Sequence, residues 1–170
     1  IDVTSAIVAV HGLNENVIGT FTGVIASLRN RTDIIVIAPW FHRMPVLGNS
    51  WSPRCDLPES ISWSKNSSWV GGGDNIREYD NTTGAMGASS FSVLDSLYRT
   101  LSMKMFFPSL NRVTFTGFSA GGQMVNRYAW ATKVGRRGHS NSNKTGLAVR
   151  FIVSDASSYL YLNSLRPAPS

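Results

Sequence analysis

The run Val113-Thr114-Phe115-Thr116-Gly117-Phe118-Ser119-Ala120-Gly121-Gly122-Gln123-Met124-Val125 sets one serine between an alternating apolar stretch and a helical pattern. A G-x-S-x-G so placed reads as strand, sharp turn, helix with Ser119 at the apex, the context a nucleophile elbow requires. Gly117 and Gly121 suit such a turn, because it holds the serine in a strained conformation and brings strand and helix too close for flanking side chains. The chemistry open to Ser119 is attack on a carbonyl. That chemistry needs a base within hydrogen-bond reach, a carboxylate to orient the base, and fixed N–H groups for the oxyanion.

The chain has three histidines to weigh as the base. His11, in Val10-His11-Gly12-Leu13, reads as a residue that orders its turn rather than as a base. His42, in Trp40-Phe41-His42, reads as structural or surface, and His139 as a solvated residue of a basic, glycine-rich loop. Asp155 follows a strand at the edge where ligands sit in open α/β sheets, so it is a candidate acid. No histidine follows it in the sequence, however, and a turn-forming aspartate is the competing reading. Cys55 is the only cysteine, which excludes an internal disulfide and a thiolate zinc cluster. Nothing in the residues indicates a metal or an organic cofactor.

These residues must be positioned by elements that the apolar pattern locates. Ala6-Ile7-Val8-Ala9-Val10 is the continuous apolar run of a strand buried on both faces of a parallel sheet. It ends in the polar turn His11-Gly12-Leu13-Asn14-Glu15-Asn16. A helix is expected over residues 17–28 with Phe21, Val24, Ile25 and Leu28 inward, then a second buried strand over residues 33–39 closed by Pro39. Strand, helix, strand favours a right-handed crossover.

Residues 40–89 hold Pro45, Pro53, Pro58, the Gly71-Gly72-Gly73 run and four of the five tryptophans (Trp40, Trp51, Trp63, Trp69) without a sustained period. So long a segment reads as a lid or substrate-binding excursion, with tryptophans that merely pin it to the core as the alternative. Ser89 and Ser90 can cap a helix that turns Phe91, Leu94, Leu97, Tyr98 and Leu101 inward, a unit ended by Phe107-Pro108. The Ser119 strand begins at Arg112, and its helix spans residues 120–133 with Met124, Val125, Tyr128 and Ala129 buried. A polar loop over residues 135–146 leads to a fourth strand over residues 148–153 and the turn Ser154-Asp155-Ala156-Ser157-Ser158-Tyr159.

A single domain over residues 1–170 suits this length, which can bury a real core. The hydrophobic fraction of 42% is ordinary, and no apolar run is long enough to span a bilayer. The net charge of +6 comes from scattered basic residues whose one tight pair is Arg136-Arg137, so a solvated surface is expected rather than a nucleic-acid site. Four sequons, at Asn30, Asn66, Asn81 and Asn143, are permissive for secretion and glycosylation.

Alternating strands and helices around a serine elbow resemble the α/β-hydrolase superfamily. A nearer likeness is to a group of microbial, largely fungal, α/β-hydrolase-like proteins. It rests on Trp63, Trp69-Val70-Gly71-Gly72, Ser90-Phe91-Ser92-Val93-Leu94-Asp95, Phe107-Pro108-Ser109-Leu110, Gly117-Phe118-Ser119-Ala120-Gly121-Gly122-Gln123, Arg127-Tyr128-Ala129 and Ser157-Ser158-Tyr159-Leu160-Tyr161-Leu162. Phe118 stands where His or Tyr is usual in such elbows. The resemblance implies a partial α/β-hydrolase fold, a mostly parallel sheet of about four strands in spatial order second, first, third, fourth. It implies Leu13 N–H and Ala120 N–H as the oxyanion donors, with His11 and Gly12 supporting the turn.

In the superfamily the acid and then the base follow the serine, so the chain is expected to be an N-terminal portion whose acid and histidine lie beyond Ser170. The implied activity is that of an esterase- or lipase-type serine hydrolase on a small-molecule ester, inactive as this chain alone. A catalytically dead binding protein with a tryptophan-rich contact surface, or a truncated gene product, are the alternatives. Uncovered sheet edges imply self-association.

Overall fold

The computed structural model describes residues 2–43, 62–63, 68–75, 88–134 and 147–161. Strand β1 (Ser5–Val10) leads through helix α1 (Val17–Ser27) to β2 (Ile34–Ile37). Short strands β3 (His42–Arg43) and β4 (Ser62–Trp63) and a 3-10 turn (Trp69–Gly71) precede α2 (Ser90–Leu101). The order then runs β5 (Arg112–Phe118), α3 (Ala120–Ala131) and β6 (Ala148–Ser154). Four of the strands form one sheet in the order β2-β1-β5-β6, every pair parallel, as the resemblance implies.

Topology decides which helix covers which face. From β1 the chain steps to β2 on one side through α1, and to β5 and then β6 on the other side through α2 and α3. Right-handed crossovers in opposite directions put α1 on one face and α2 and α3 on the other. Register places Ala6, Val113 and Val149 in one row, Ile37, Val8, Phe115 and Phe151 in the next, and Val10, Gly117 and Val153 in a third. On these rows sit Tyr128 of α3, with its ring 5.1 Å from Phe115 and 6.0 Å from Phe151, and the buried Met124, Val125, Leu94, Tyr98 and Leu101. Each large side chain so buried contributes roughly 1.5–3 kcal/mol.

One feature starts α2 and another locks it to α3. Ser89 caps α2, its hydroxyl accepting from the N–H groups of Phe91 (3.1 Å) and Ser92 (3.2 Å). Asp95 Oδ1 then accepts from Tyr128 Oη at 2.7 Å and Thr132 Oγ1 at 3.0 Å. Burial raises the Tyr128 phenol above its usual range, so it remains a donor.

The opposite face is thinner, and here the expected inward row of α1 is corrected. No residue of α1 is buried. Its half-buried row is Val17, Thr20, Val24 and Leu28, while Phe21 and Ile25 stand exposed beside Ile18. The helix packs chiefly on β1 and the four-residue edge strand β2, a surface too narrow for the whole apolar stripe. On the same face β6 exposes Ile152, its residues alternating between half-buried and exposed.

The segment 40–89 also departs from a structureless excursion. β3 pairs in parallel with β4, and Asp74 bridges Ser89. Strands of two residues carry no readable period, which is why the pattern is silent there. The Trp63 and Trp69 side chains pin the segment to the core, each at most 1% exposed. Trp63 Nε1 donates to Gly73 C=O at 2.9 Å. Trp51, Pro45, Pro53, Pro58, Cys55, the loop 135–146 with Arg136 and Arg137, and the sequons at Asn81 and Asn143 lie outside the described residues, as does Asn66.

Candidate active site

Ser119 is the single residue between β5 and α3, with φ 56° and ψ −121°. An L-residue adopts this region only under constraint, at roughly 1–3 kcal/mol. The constraints are visible around it. The Ser119 N–H donates to Ser154 C=O at 3.1 Å across to the end of β6, and Ser119 C=O accepts from Gln123 N–H at 3.0 Å. A Cβ at Gly117 would lie 2.3 Å from the backbone of Gly121, and one at Gly121 would lie 2.2 Å from Val10 C=O. The first turn of α3 is thus pressed onto the ends of β5 and β1. The Ser119 side chain makes no capping bond to its helix, which leaves its hydroxyl free of that role. Phe118 turns outward, 59% exposed.

The turn after β1 lies alongside. A Cβ at Gly12 would be 3.8 Å from Ser119 Cβ and 3.9 Å from Phe118 C=O. Ala120 is the first residue of α3, so its N–H belongs to the unpaired donors at the positive end of the helix.

His11 is fully buried and both ring nitrogens are engaged. The Phe41 N–H donates to Nε2 at 2.9 Å, so Nε2 is the unprotonated nitrogen, and Nδ1–H donates to Gly12 C=O at 2.7 Å. The ring packs edge-on to Trp69 at 5.0 Å and near Phe41 at 6.2 Å. Burial pulls its pKa below the ordinary 6.5, outweighing the bond to Gly12 and the nearby Glu15, both of which raise it. His11 is therefore a neutral structural imidazole with no nitrogen to offer a nucleophile.

His42 is held too. Its Nδ1–H donates to Glu15 Oε2 at 3.0 Å. Glu15, with φ 59° and a side chain only 14% exposed, also accepts at Oε1 from Arg43 N–H and Arg43 Nε, both at 3.1 Å, and at Oε2 from Trp40 Nε1 at 3.4 Å. Burial alone would raise the Glu15 pKa, but the bonds from His42 and Arg43 outweigh it and hold the carboxyl below its usual value. Sequence reasoning passed over Glu15 as one residue of a polar turn. No local pattern marks it, because its partners lie 25 to 28 positions away.

Asp155 follows Ser154, the residue whose carbonyl takes the Ser119 N–H, and is exposed with φ 47°. The chain beyond it is fastened to α3 by a polar row. Gln123 Nε2 donates to Ser157 Oγ, Arg127 reaches Ser158 Oγ at 3.0 Å and Val70 C=O at 3.1 Å, and Asn126 Oδ1 accepts from Leu160 N–H at 2.7 Å. The sequence signal for this row is the i, i+3, i+4 spacing of polar residues at 123, 126 and 127, beside the apolar positions of the same helix.

The structure thus gathers Ser119, Gly12, Gly117, Ala120, Gly121 and Asp155 at the C-terminal edge of the sheet. His139 lies outside the described residues. Among the described residues no group of three or more His, Cys, Asp or Glu is placed to hold a metal, and no helix is long and apolar enough to cross a membrane. No family model, curated protein or solved structure matches the chain.

Proposed function

We propose that the chain carries the nucleophile half of an α/β-hydrolase site, with Ser119 as the serine of an esterase- or lipase-type reaction on a small-molecule ester. The observation that carries this reading is the backbone of Ser119, φ 56° and ψ −121° between a parallel strand and a helix, with the Gly12 turn beside it. Conformational strain of this kind persists only where surrounding contacts over-determine it. In the proposed reaction Ser119 Oγ bonds to the ester carbonyl carbon and its proton passes to a base. The carbonyl oxygen gains negative charge and accepts from Leu13 N–H and Ala120 N–H. Collapse breaks the bond to the alcohol, which leaves with the proton, and water then cleaves the acyl-enzyme.

Asp155 is the candidate acid among the described residues. The base is a histidine from outside them, since His11 and His42 are engaged elsewhere. Activity is expected only where such a histidine reaches Ser119. The engagement of both described histidines also favours a second reading, a hydrolase-fold binding protein without catalysis. Labelling of the natural full-length protein with a fluorophosphonate probe separates the two. The first reading expects labelling that Ser119→Ala abolishes; an unlabelled, folded protein supports the second.

A further inference from the structure

Resting on the reading of Ser119 as nucleophile, we propose that Glu15 is a positioning residue. Together with Arg43 it holds the Gly12–Leu13 peptide so that the Leu13 N–H is presented to the oxyanion.

A peptide bond is planar, and in the trans form its C=O and N–H point in opposite directions. The chain has no cis peptide among the described residues. Gly12 C=O accepts two donors, His11 Nδ1–H at 2.7 Å and Glu15 N–H at 3.1 Å. With that carbonyl fixed, the N–H on the same peptide, that of Leu13, is fixed in the opposite sense. The following carbonyl, Leu13 C=O, accepts from Arg43 Nη2 at 2.9 Å. Both peptides flanking Leu13 are therefore restrained, and Glu15 contributes to both restraints. Its N–H binds one carbonyl directly, and its carboxylate orients the guanidinium that binds the other.

Within the turn the backbone supplies the Glu15 N–H to Gly12 C=O bond, and side chains supply the rest. Glu15 sits at φ 59°, a conformation that a residue other than glycine or asparagine adopts with difficulty. Its side-chain bonds to Arg43 N–H, Arg43 Nε, His42 Nδ1 and Trp40 Nε1 hold it there. The carboxylate's bonds thus fix a residue that would otherwise leave this region. This makes the oxyanion donor pre-organised, and pre-organisation is what gives such donors their effect on rate.

The test compares fluorophosphonate inactivation kinetics of the natural full-length protein with those of Glu15→Gln and Arg43→Ala, alongside thermal melts. Losing an oxyanion donor outright lowers rates by about 10²–10³-fold, so a misdirected one in Glu15→Gln is expected to lower the maximal inactivation rate by about 10–100-fold with probe binding unchanged. Arg43→Ala is expected to show a smaller drop of the same kind, and it decides the matter if Glu15→Gln does not fold. Inactivation at the wild-type maximal rate in a folded variant, or weaker probe binding with that rate unchanged, overturns the proposal and leaves Ser119 as nucleophile. A wild-type protein that is not labelled at all overturns the Ser119 reading and this inference with it.

Discussion

Two turns meet at the candidate site, and they are held by different means. The turn at Ser119 is held by backbone against backbone, with no space for a Cβ at Gly117 or Gly121 and a main-chain bond to Ser154. The turn from His11 to Asn16 has one closing main-chain bond, Glu15 N–H to Gly12 C=O, and is otherwise held by side chains: an imidazole that bridges Gly12 C=O and Phe41 N–H, and a carboxylate tied to Trp40, His42 and Arg43. A backbone-packed turn fails when volume is added. A tethered turn fails when a polar partner is removed or titrated, so the same kind of substitution should have opposite consequences in the two places.

The largest effect is expected at Gly121. An added Cβ 2.2 Å from Val10 C=O and 2.6 Å from His11 C=O must displace main chain on both sides. Gly121→Ala should cost at least about 3 kcal/mol of stability in urea unfolding. A Gly121→Ala protein that unfolds at the wild-type midpoint would dismiss the backbone-packed description of the Ser119 turn.

Next in size is His11. Replacing it by Ala removes a fully buried ring and orphans the Phe41 N–H, with an expected loss of about 2–4 kcal/mol by the same measurement. Retention of full stability would mean that the tether is ornamental.

Titration of His11 should give a smaller, graded effect. Its folded pKa is depressed by burial below 6.5, so between the folded and unfolded values the unfolded chain binds more protons. Stability should therefore be full above about pH 6.5 and be lost as pH falls through the folded value. Denaturant midpoints measured from pH 7.5 downward should fall with pH in the wild type and less steeply in His11→Gln. Equal slopes would assign the acid sensitivity to other groups.

The smallest effect is expected from Gly12→Ala. Its Cβ would meet nothing nearer than 3.4 Å, ordinary contact, so the stability change should stay within about 1 kcal/mol of zero. The contrast between Gly12→Ala and Gly121→Ala is the most direct measure of the difference between the two turns. Similar losses in both would erase it.

Much of the fold was legible because its signals are local. The apolar run at residues 6–10 becomes β1 at Ser5–Val10, the Ser89 cap begins α2 at Ser90, and Arg112 begins β5. The rotation of α1 was not legible. Phe21, Val24, Ile25 and Leu28 form a sound helical stripe, yet which part of it is covered depends on how little sheet lies beneath. The burial of Trp63 and Trp69 against Phe41 was not legible either, because composition alone does not distinguish a pinned segment from a solvent-facing one.

The sequence by itself determined the Ser119 turn. Its G-x-S-x-G spacing and the Gly117–Gly121 approach lie within five residues, so residue type and spacing state the turn directly, although Val10 and Ser154 complete its restraint from distant strands. Only the tertiary structure decided what His11 and Glu15 are. The partners that fix the His11 tautomer and hold the Glu15 carboxylate, Phe41 and Arg43, lie 30 and 28 positions away, and the burial that makes His11 neutral exists only once Trp69 and Phe41 close over it. A side chain's chemistry is set by its surroundings, and for these two residues the surroundings come from distant parts of the chain.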